Sequence, residues 1–147
     1  MNPRALLCLV FCLTPVLAGC DAIASLLESK PQPSYVEPPA GTYAARTFEI
    51  APDVNAAPET VAGAEVSLEF FTDAKVQPLL GRAFIASDAI SSIHVAVLSQ
   101  DLWVRRFGSD PGIIGRQVSL DGRLVTVVGV MPSGFTMPKG ASIWIPR

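Results

Sequence analysis

The chain has 147 residues, half of them hydrophobic and 16% charged, with 11 Lys and Arg against 13 Asp and Glu for a formal net charge of −2. That length holds one domain of ordinary size, and a slightly acidic balance gives no electrostatic footprint for nucleic acid. One histidine and three cysteines leave little material for a metal centre or a disulfide framework.

Met1 to Gly19 carries one positive charge, Arg4, then an apolar run from Ala5 to Leu17 broken by Thr14 and Pro15. The run is too short to span a bilayer as a mature helix and has the length of a signal-peptide core. Leu17-Ala18-Gly19-Cys20 resembles a lipobox, in which small residues precede a cysteine that is diacylated before cleavage. An ordinary secretory signal with an incidental cysteine is the weaker reading, because spacing, small residues and cysteine all agree. Residues 1–19 are then a lipoprotein leader and Cys20 the lipidation site, and two or more acyl chains suffice for stable anchoring where one does not. Asp21 resembles the residue that retains enteric-type lipoproteins at the inner membrane. The expected address is therefore a membrane-anchored lipoprotein facing the periplasm, with the inner membrane favoured. Cys8 and Cys12 leave with the leader and Cys20 becomes a thioether, so the mature chain is expected to have neither free thiol nor disulfide. No later stretch is long enough to cross a membrane.

Residues 20–58 read as a tether, expected to be mostly disordered. A short apolar patch of Ile23, Leu26 and Leu27 gives way to Pro31, Pro33, Pro38, Pro39, Pro52 and Pro58, a composition that stays extended and solvated. Some 30 such residues reach up to about 90 Å at the polyproline rise. The competing reading, of equal weight, makes Tyr43 to Ile50 an edge strand, since Thr47, Phe48 and Ile50 have strand character.

The folded part is expected over residues 59–147. Val61 to Val66 reads as a weak strand, and Ser67 as the cap of a short helix holding Leu68, Phe70 and Phe71. Val76 to Phe84 reads as a connection through Pro78 and Gly81, and Ile85 to Ser92 as a polar loop. Val95, Val97 and Leu98 form a short buried strand. Ser99 caps the following helix, Asp101 lies near its positive end, Arg105 and Arg106 occupy its last turn, and Gly108 supplies a left-handed stop. Asp110 and Pro111 open a further single turn that Gly115 ends.

Gln117 to Leu120 alternates polar and apolar residues, and Asp121-Gly122 is the dipeptide of a two-residue hairpin turn. This register sets Leu120 opposite Arg123 and Val118 opposite Val125, with Val118, Leu120, Val125 and Val127 on the buried face. Val127, Val128 and Val130 then place the return strand inside the sheet. Gly129 marks a bulge or a close backbone approach. The fold class is α+β: a small mixed sheet with a β-hairpin and two or three short helices.

The run VAVLSQDLWVRRFGSDPGIIGRQVSLDGRLVTVVGVMPSGFTMP, the ending Ile143-Trp144-Ile145-Pro146 and the upstream VSLEFFTDAKVQPLLGRAF together resemble the periplasmic core domain of MacB-type permeases of the FtsX-like class. About 80 residues agree in register. Ala74 and Lys75 stand where the family usually has Leu-Gly. The resemblance implies an extracytoplasmic relay or docking module of a permease whose energy comes from a separate ATPase, and a fold like the inserted subdomain of the MacB periplasmic core. The transmembrane helices of such permeases do not occur in these 147 residues, and no Gly-rich phosphate loop with its lysine is present to hold a nucleotide.

Catalytic, cofactor-binding and metal-binding residues are all expected to be none. His94, Ser99 and Asp101 straddle a strand-to-helix junction without a glycine-flanked nucleophile turn, and Asp88, Asp101, Asp110 and Asp121 are explained as caps and turns. Arg105 and Arg106 could bind an acidic partner, though a solvated helix end explains them too. Trp103 and Trp144 are amphipathic and could anchor an interface, but core packing is the favoured role, particularly for Trp103. The favoured function is a non-catalytic lipoprotein that docks an ABC-type permease, an adaptor or another envelope partner through a MacB-like core domain. The alternatives are a truncated or degenerate permease relative with no active role, and a small solute-binding lipoprotein.

Overall fold

A computed structural model describes residues 35–147. The leader, Cys20 and the Ile23–Leu27 patch lie outside the described residues.

Seven strands form one mixed sheet: β1 Tyr43–Ala51, β2 Glu59–Val66, β3 Leu80–Gly81, β4 Val95–Ser99, β5 Gln117–Leu120, β6 Arg123–Met131 and β7 Ile143–Pro146. Three short helices, α1 Phe70–Asp73, α2 Ala86–Ile90 and α3 Gln100–Phe107, and a 3-10 turn at Pro111–Ile113 complete the described elements. The strand order is β3-β6-β4-β7-β2-β1-β5, and β5 pairs again with β6. The pairings therefore close into a ring of six strands, with β3 alongside the far half of β6. All six ring strands send one face into a single cluster: Phe48 and Ile50, Val61, Ala96 and Leu98, Val118 and Leu120, Val125, Val127 and Val130, and Ile143. That cluster is the ring interior. Leu102, Phe107 and Ile113 of α3 and the 3-10 turn join it.

The alternate residues of the same strands form a second core. Ala64, Val66, Val95, Val97 and Trp144 pack beneath Phe70, Phe71, Phe84 and Phe135, so β4 is buried at every position. A period of two can serve two cores only if the strand register is held, because a one-residue slip exchanges the faces. β6 changes its parity on purpose: Ala96 pairs with Val127 but Val97 with Gly129. The bulge at Val128 lets Val125 and Val127 face the interior before it and Val130 after it, while Val128 and Met131 face the outer core. Gly129 is also a close approach, since a Cβ there would run into the Arg82 carbonyl.

The local signals of the central stretch form as expected. Ser99 Oγ accepts from the Leu102 N–H at 3.2 Å, and Gly108 closes α3 at φ 61°. Asp110 accepts from the Gly112 N–H at 2.9 Å. The hairpin has Leu120 opposite Arg123 and Val118 opposite Val125, with Asp121 at φ 50° and Gly122 at φ 75°, the positive pair that its turn demands.

Three expectations are corrected. The stretch assigned to a tether is part of the fold from residue 35: Tyr35 stacks edge-on against Phe135 at 5.0 Å and β1 pairs with β2 over eight residues. Prolines flank this strand without interrupting it, so composition alone misplaces the boundary. β1 is the strand of the competing reading and an edge over its first half, but β5 reaches Ile50 and Ala51. Ser67 does not cap α1. Its backbone carbonyl, not its hydroxyl, accepts from Phe70, Glu69 is the cap position, and the Ser67 Oγ is buried without a hydrogen-bond partner. Lys75 takes the left-handed conformation that usually falls to glycine, at φ 54°, and the N–H groups of Lys75 and Val76 close the helix on Thr72 and Phe71. Finally, Ile85 to Ser92 is not a loop but holds α2.

α2 exists because of Asp88. Its carboxylate accepts from the Ile85 N–H at 2.9 Å and from both terminal nitrogens of Arg82 at 2.7 and 3.0 Å, with its side chain only 6% exposed. The hydrogen bond from Arg82 holds the Asp88 carboxyl below the ordinary carboxylate range, against the opposing effect of burial. A depressed folded-state pKa contributes stability that is present at neutral pH and lost as the pH falls through that lowered value. Asp88→Asn is therefore expected to cost about 1–2 kcal/mol at pH 7, and urea unfolding repeated at successively lower pH should show the gap to wild type narrowing below the ordinary carboxylate range. A gap that persists in acid would mean that the charge of Asp88 is not what matters.

Candidate functional site

The ring has two unlike ends. At one, α3 covers the interior, and its last turn is tied down: Arg105 pairs with Glu59, and Arg106 bonds the Ala57 carbonyl and approaches Glu59 at 3.7 Å. The two arginines expected to meet a partner are thus engaged with the β1–β2 connection. Trp103, half-buried, donates its indole N–H to the Asp110 carbonyl at 2.9 Å. Trp144 is corrected as an interface residue. It is fully buried, its ring lies 5.4 Å from Phe135 and 5.8 Å from Phe71, and its N–H reaches the Met137 carbonyl at 2.7 Å.

At the other end the ring opens into a cleft of about 560 Å³ between β1, the β5–β6 hairpin, α2 and the end of β7. Phe48, Leu120, Val125 and Ile145 line its apolar part, and Arg46, Glu65, Asp88, Asp121, Arg123 and His94 its polar part. Strand alternation brings Arg46 and Phe48 to the same side of β1, where the guanidinium sits 4.9 Å from the Phe48 ring. Arg46 also pairs with Glu65 and lies 3.7 Å from Asp121. Asp88 is held by Arg82. Each of the three carboxylates of the cleft is thus paired with an arginine, whereas Arg123 has no carboxylate partner among the described residues. Glu65 and Asp121 share Arg46, so Arg46, Arg82 and Arg123 together only balance these three carboxylates.

The Asp121-Gly122 turn does more than join two strands. The Asp121 N–H donates to the Glu49 carbonyl at 2.8 Å, and Asp121 Oδ1 accepts from the Glu49 N–H at 2.7 Å. The tip of the hairpin is thereby fastened to β1 and closes the ring. Sequence reasoning found the turn but not this role, since nothing local marks a contact 72 residues away. The Arg46, Phe48, Ile50 alternation was the available signal for the β1 wall of the cleft.

His94, Ser99 and Asp101 are not assembled. His94 precedes β4 at the cleft, whereas Ser99 ends β4 and is committed to its cap, so the five-residue strand separates them by roughly 15 Å. Among the described residues no group of three or more His, Cys, Asp or Glu side chains is placed to hold a metal ion, and no helix is long and apolar enough to cross a membrane.

The backbone is similar to the periplasmic region of MacB from Actinobacillus actinomycetemcomitans, with a TM-score of 0.58 at 18% identity over 84% of this chain and 52% of that one. It is also similar to the extracellular domain of the noncanonic ABC-type transporter YknZ from Gram-positive bacteria, with a TM-score of 0.56 at 17% identity over 80% of this chain and 57% of that one. At such identities the likeness is one of fold, and the chain spans about half the length of these solved domains. No curated protein matches it. The family model of the MacB-like periplasmic core domain matches residues 21–147, from the residue after Cys20 to Arg147, and the chain belongs to that family.

Proposed function

We propose that this protein is a non-catalytic docking module, held at the membrane by a lipid on Cys20 and presenting a MacB-like core domain to an ABC-type permease or an adaptor of one. The observation that carries this reading is the adjacency of two signals: a lipobox ending at Cys20 and a family match that starts at residue 21. On this reading residues 21–34 link the lipid to the folded domain. Arg105 and Arg106 fasten α3 to the Glu59 region, so the surface that meets a partner is the open end of the ring.

The reading is tested by crosslinking in cells, followed by capture of the tagged full chain from detergent-solubilised membranes, beside a Cys20→Ala control. Enrichment of a multi-pass permease or its ATPase with the wild type alone is the expected result. Recovery of nothing but abundant envelope proteins would overturn the docking role, and equal enrichment with Cys20→Ala would remove the lipid from it.

A further inference from the structure

The ring is closed along only part of β1. Ser67 N–H donates to the Thr42 carbonyl at 2.7 Å, which fixes the even-numbered residues of this strand as those that bond β2, because antiparallel pairs alternate. The odd-numbered residues turn their N–H and C=O groups the other way. Glu49 does so and meets Asp121, and Ala51 meets Ser119 of β5. Tyr43, Ala45 and Thr47 also do so, and their outward groups find no partner among the described residues. Ala44, Ala45, Arg46 and Thr47 are all exposed. The strand thus runs past the hairpin tip with about four residues of unpaired edge, and that edge borders the cleft.

We propose that the edge of β1 from Tyr43 to Thr47 is a strand-addition site for an extended acidic peptide segment of a partner protein. The added strand takes the place that β5 leaves vacant and satisfies the outward groups of Tyr43, Ala45 and Thr47. Every second side chain of such a strand points toward the cleft, where Phe48, Leu120, Val125 and Ile145 offer an apolar seat. Charge complementarity selects the occupant. Glu65 and Asp121 share Arg46 and Asp88 is held by Arg82, whereas Arg123 has no carboxylate partner among the described residues and can take a carboxylate of the incoming strand. Natural folds usually blunt an exposed edge with charges, prolines or bulges. Here Arg46 is turned onto Phe48 and Glu65 instead, and alanines leave the edge open. This inference rests on the docking role proposed above and gives it a surface and a partner chemistry.

The probe is a blocked pentapeptide of the pattern Val-Thr-Glu-Thr-Val, whose first, third and fifth side chains share one face, added at millimolar concentration to the full chain in detergent, with amide exchange followed by NMR. Ala45 and Thr47 amides are expected to slow by about tenfold or more, whereas Ala44 and Arg46, already bonded to β2, change little. A Val-Thr-Lys-Thr-Val peptide is expected to protect less, and Arg123→Ala to narrow the difference. Thr47→Pro removes an outward N–H that the β2 ladder does not use, so it is expected to abolish protection at Ala45 while leaving the unfolding midpoint near that of wild type. A peptide N-methylated on the amides that face β1 makes the same test without touching the protein. No protection by the acidic peptide, or protection that survives both Thr47→Pro and N-methylation, overturns the proposal. So does self-association of the chain that Thr47→Pro abolishes, which would make a second copy the occupant. Capture of a permease that persists in Thr47→Pro leaves the docking role standing and overturns this edge as its seat. Peptide addition at β1 without any Cys20-dependent permease supports the edge and overturns the permease as partner.

Discussion

Trp144→Ala is expected to lower the free energy of unfolding by about 3–5 kcal/mol, which urea titration of the full chain followed by far-UV circular dichroism would measure. The residue is fully buried, and the loss has three parts. Its ring packs among Phe71 and Phe135, so truncation leaves a cavity that the aromatic cluster cannot fill by collapse. Its indole N–H is the partner of the Met137 carbonyl, and an orphaned buried acceptor costs about 1–3 kcal/mol. Its backbone pairs with Ala64 on one side and Val97 on the other, so disturbance reaches both neighbouring strands. Against a typical total of about 5–15 kcal/mol, this substitution should leave the fold marginal. Trp144→Phe separates the parts, retaining an aromatic ring and losing the hydrogen bond, and is expected to fall between the two. Equal losses for Phe and Ala would mean that the hydrogen bond dominates.

Gly63→Ala is the second large effect, expected at about 2–3 kcal/mol or more. Gly63 lies between β1 and β7, opposite Arg46 on one side and Ile143 on the other. A Cβ there would sit 2.5 Å from the Ile143 carbonyl, 2.6 Å from Ile143 Cγ2 and 2.8 Å from Phe48 Cδ2. Side chains can yield, but the carbonyl belongs to a paired strand and cannot move without loosening β7. Gly112→Ala is the contrast, since only the Asp110 carboxylate comes near, at 3.1 Å and beyond. Because Phe48 lines the cleft, the same urea titration should be read beside the peptide exchange experiment. The variant is expected to lose affinity even where it stays folded. Stability within about 0.5 kcal/mol of wild type would mean that β2 and β7 are not in the tight register described.

What could be read from the residues and what could not divide by range. The hairpin turn at Asp121-Gly122, the Ser99 cap, the Gly108 stop and the close backbone approach at Gly129 are each specified by the conformational demands of one or two residues, and each forms where expected. α2 was missed although its reason is also local, because Ile85 is an unusual cap residue and the reciprocal bond comes from Asp88 three residues on. The boundary at residue 59 failed for another cause. β1 is short of apolar residues because only Phe48, Ile50 and Ala51 are buried, and its partners lie far off in sequence. The cleft was illegible for the same reason: Arg46, Asp121 and Arg123 meet only through pairing. The burial of Trp144 agrees with the core role favoured from its residue type, though the strands that bury it on both sides, β2 and β4, are not marked by any local pattern.

β7 follows every other described strand in chain order and yet lies between β4 and β2, joining the β1–β2 pair to the β4–β6 pair. A chain delivered across a membrane from its amino end would form the β1–β2 hairpin early and the β5–β6 hairpin later, and neither could complete a sheet alone. β2 and β4 would each wait, with one edge uncovered, for Ile143 to Pro146. Folding is then a late, long-range event in which loop closure precedes its reward, the condition that makes such topologies slow. During that interval the two half-sheets are candidates for pairing with the wrong neighbour, and a molecule that holds either edge would govern how fast the domain matures.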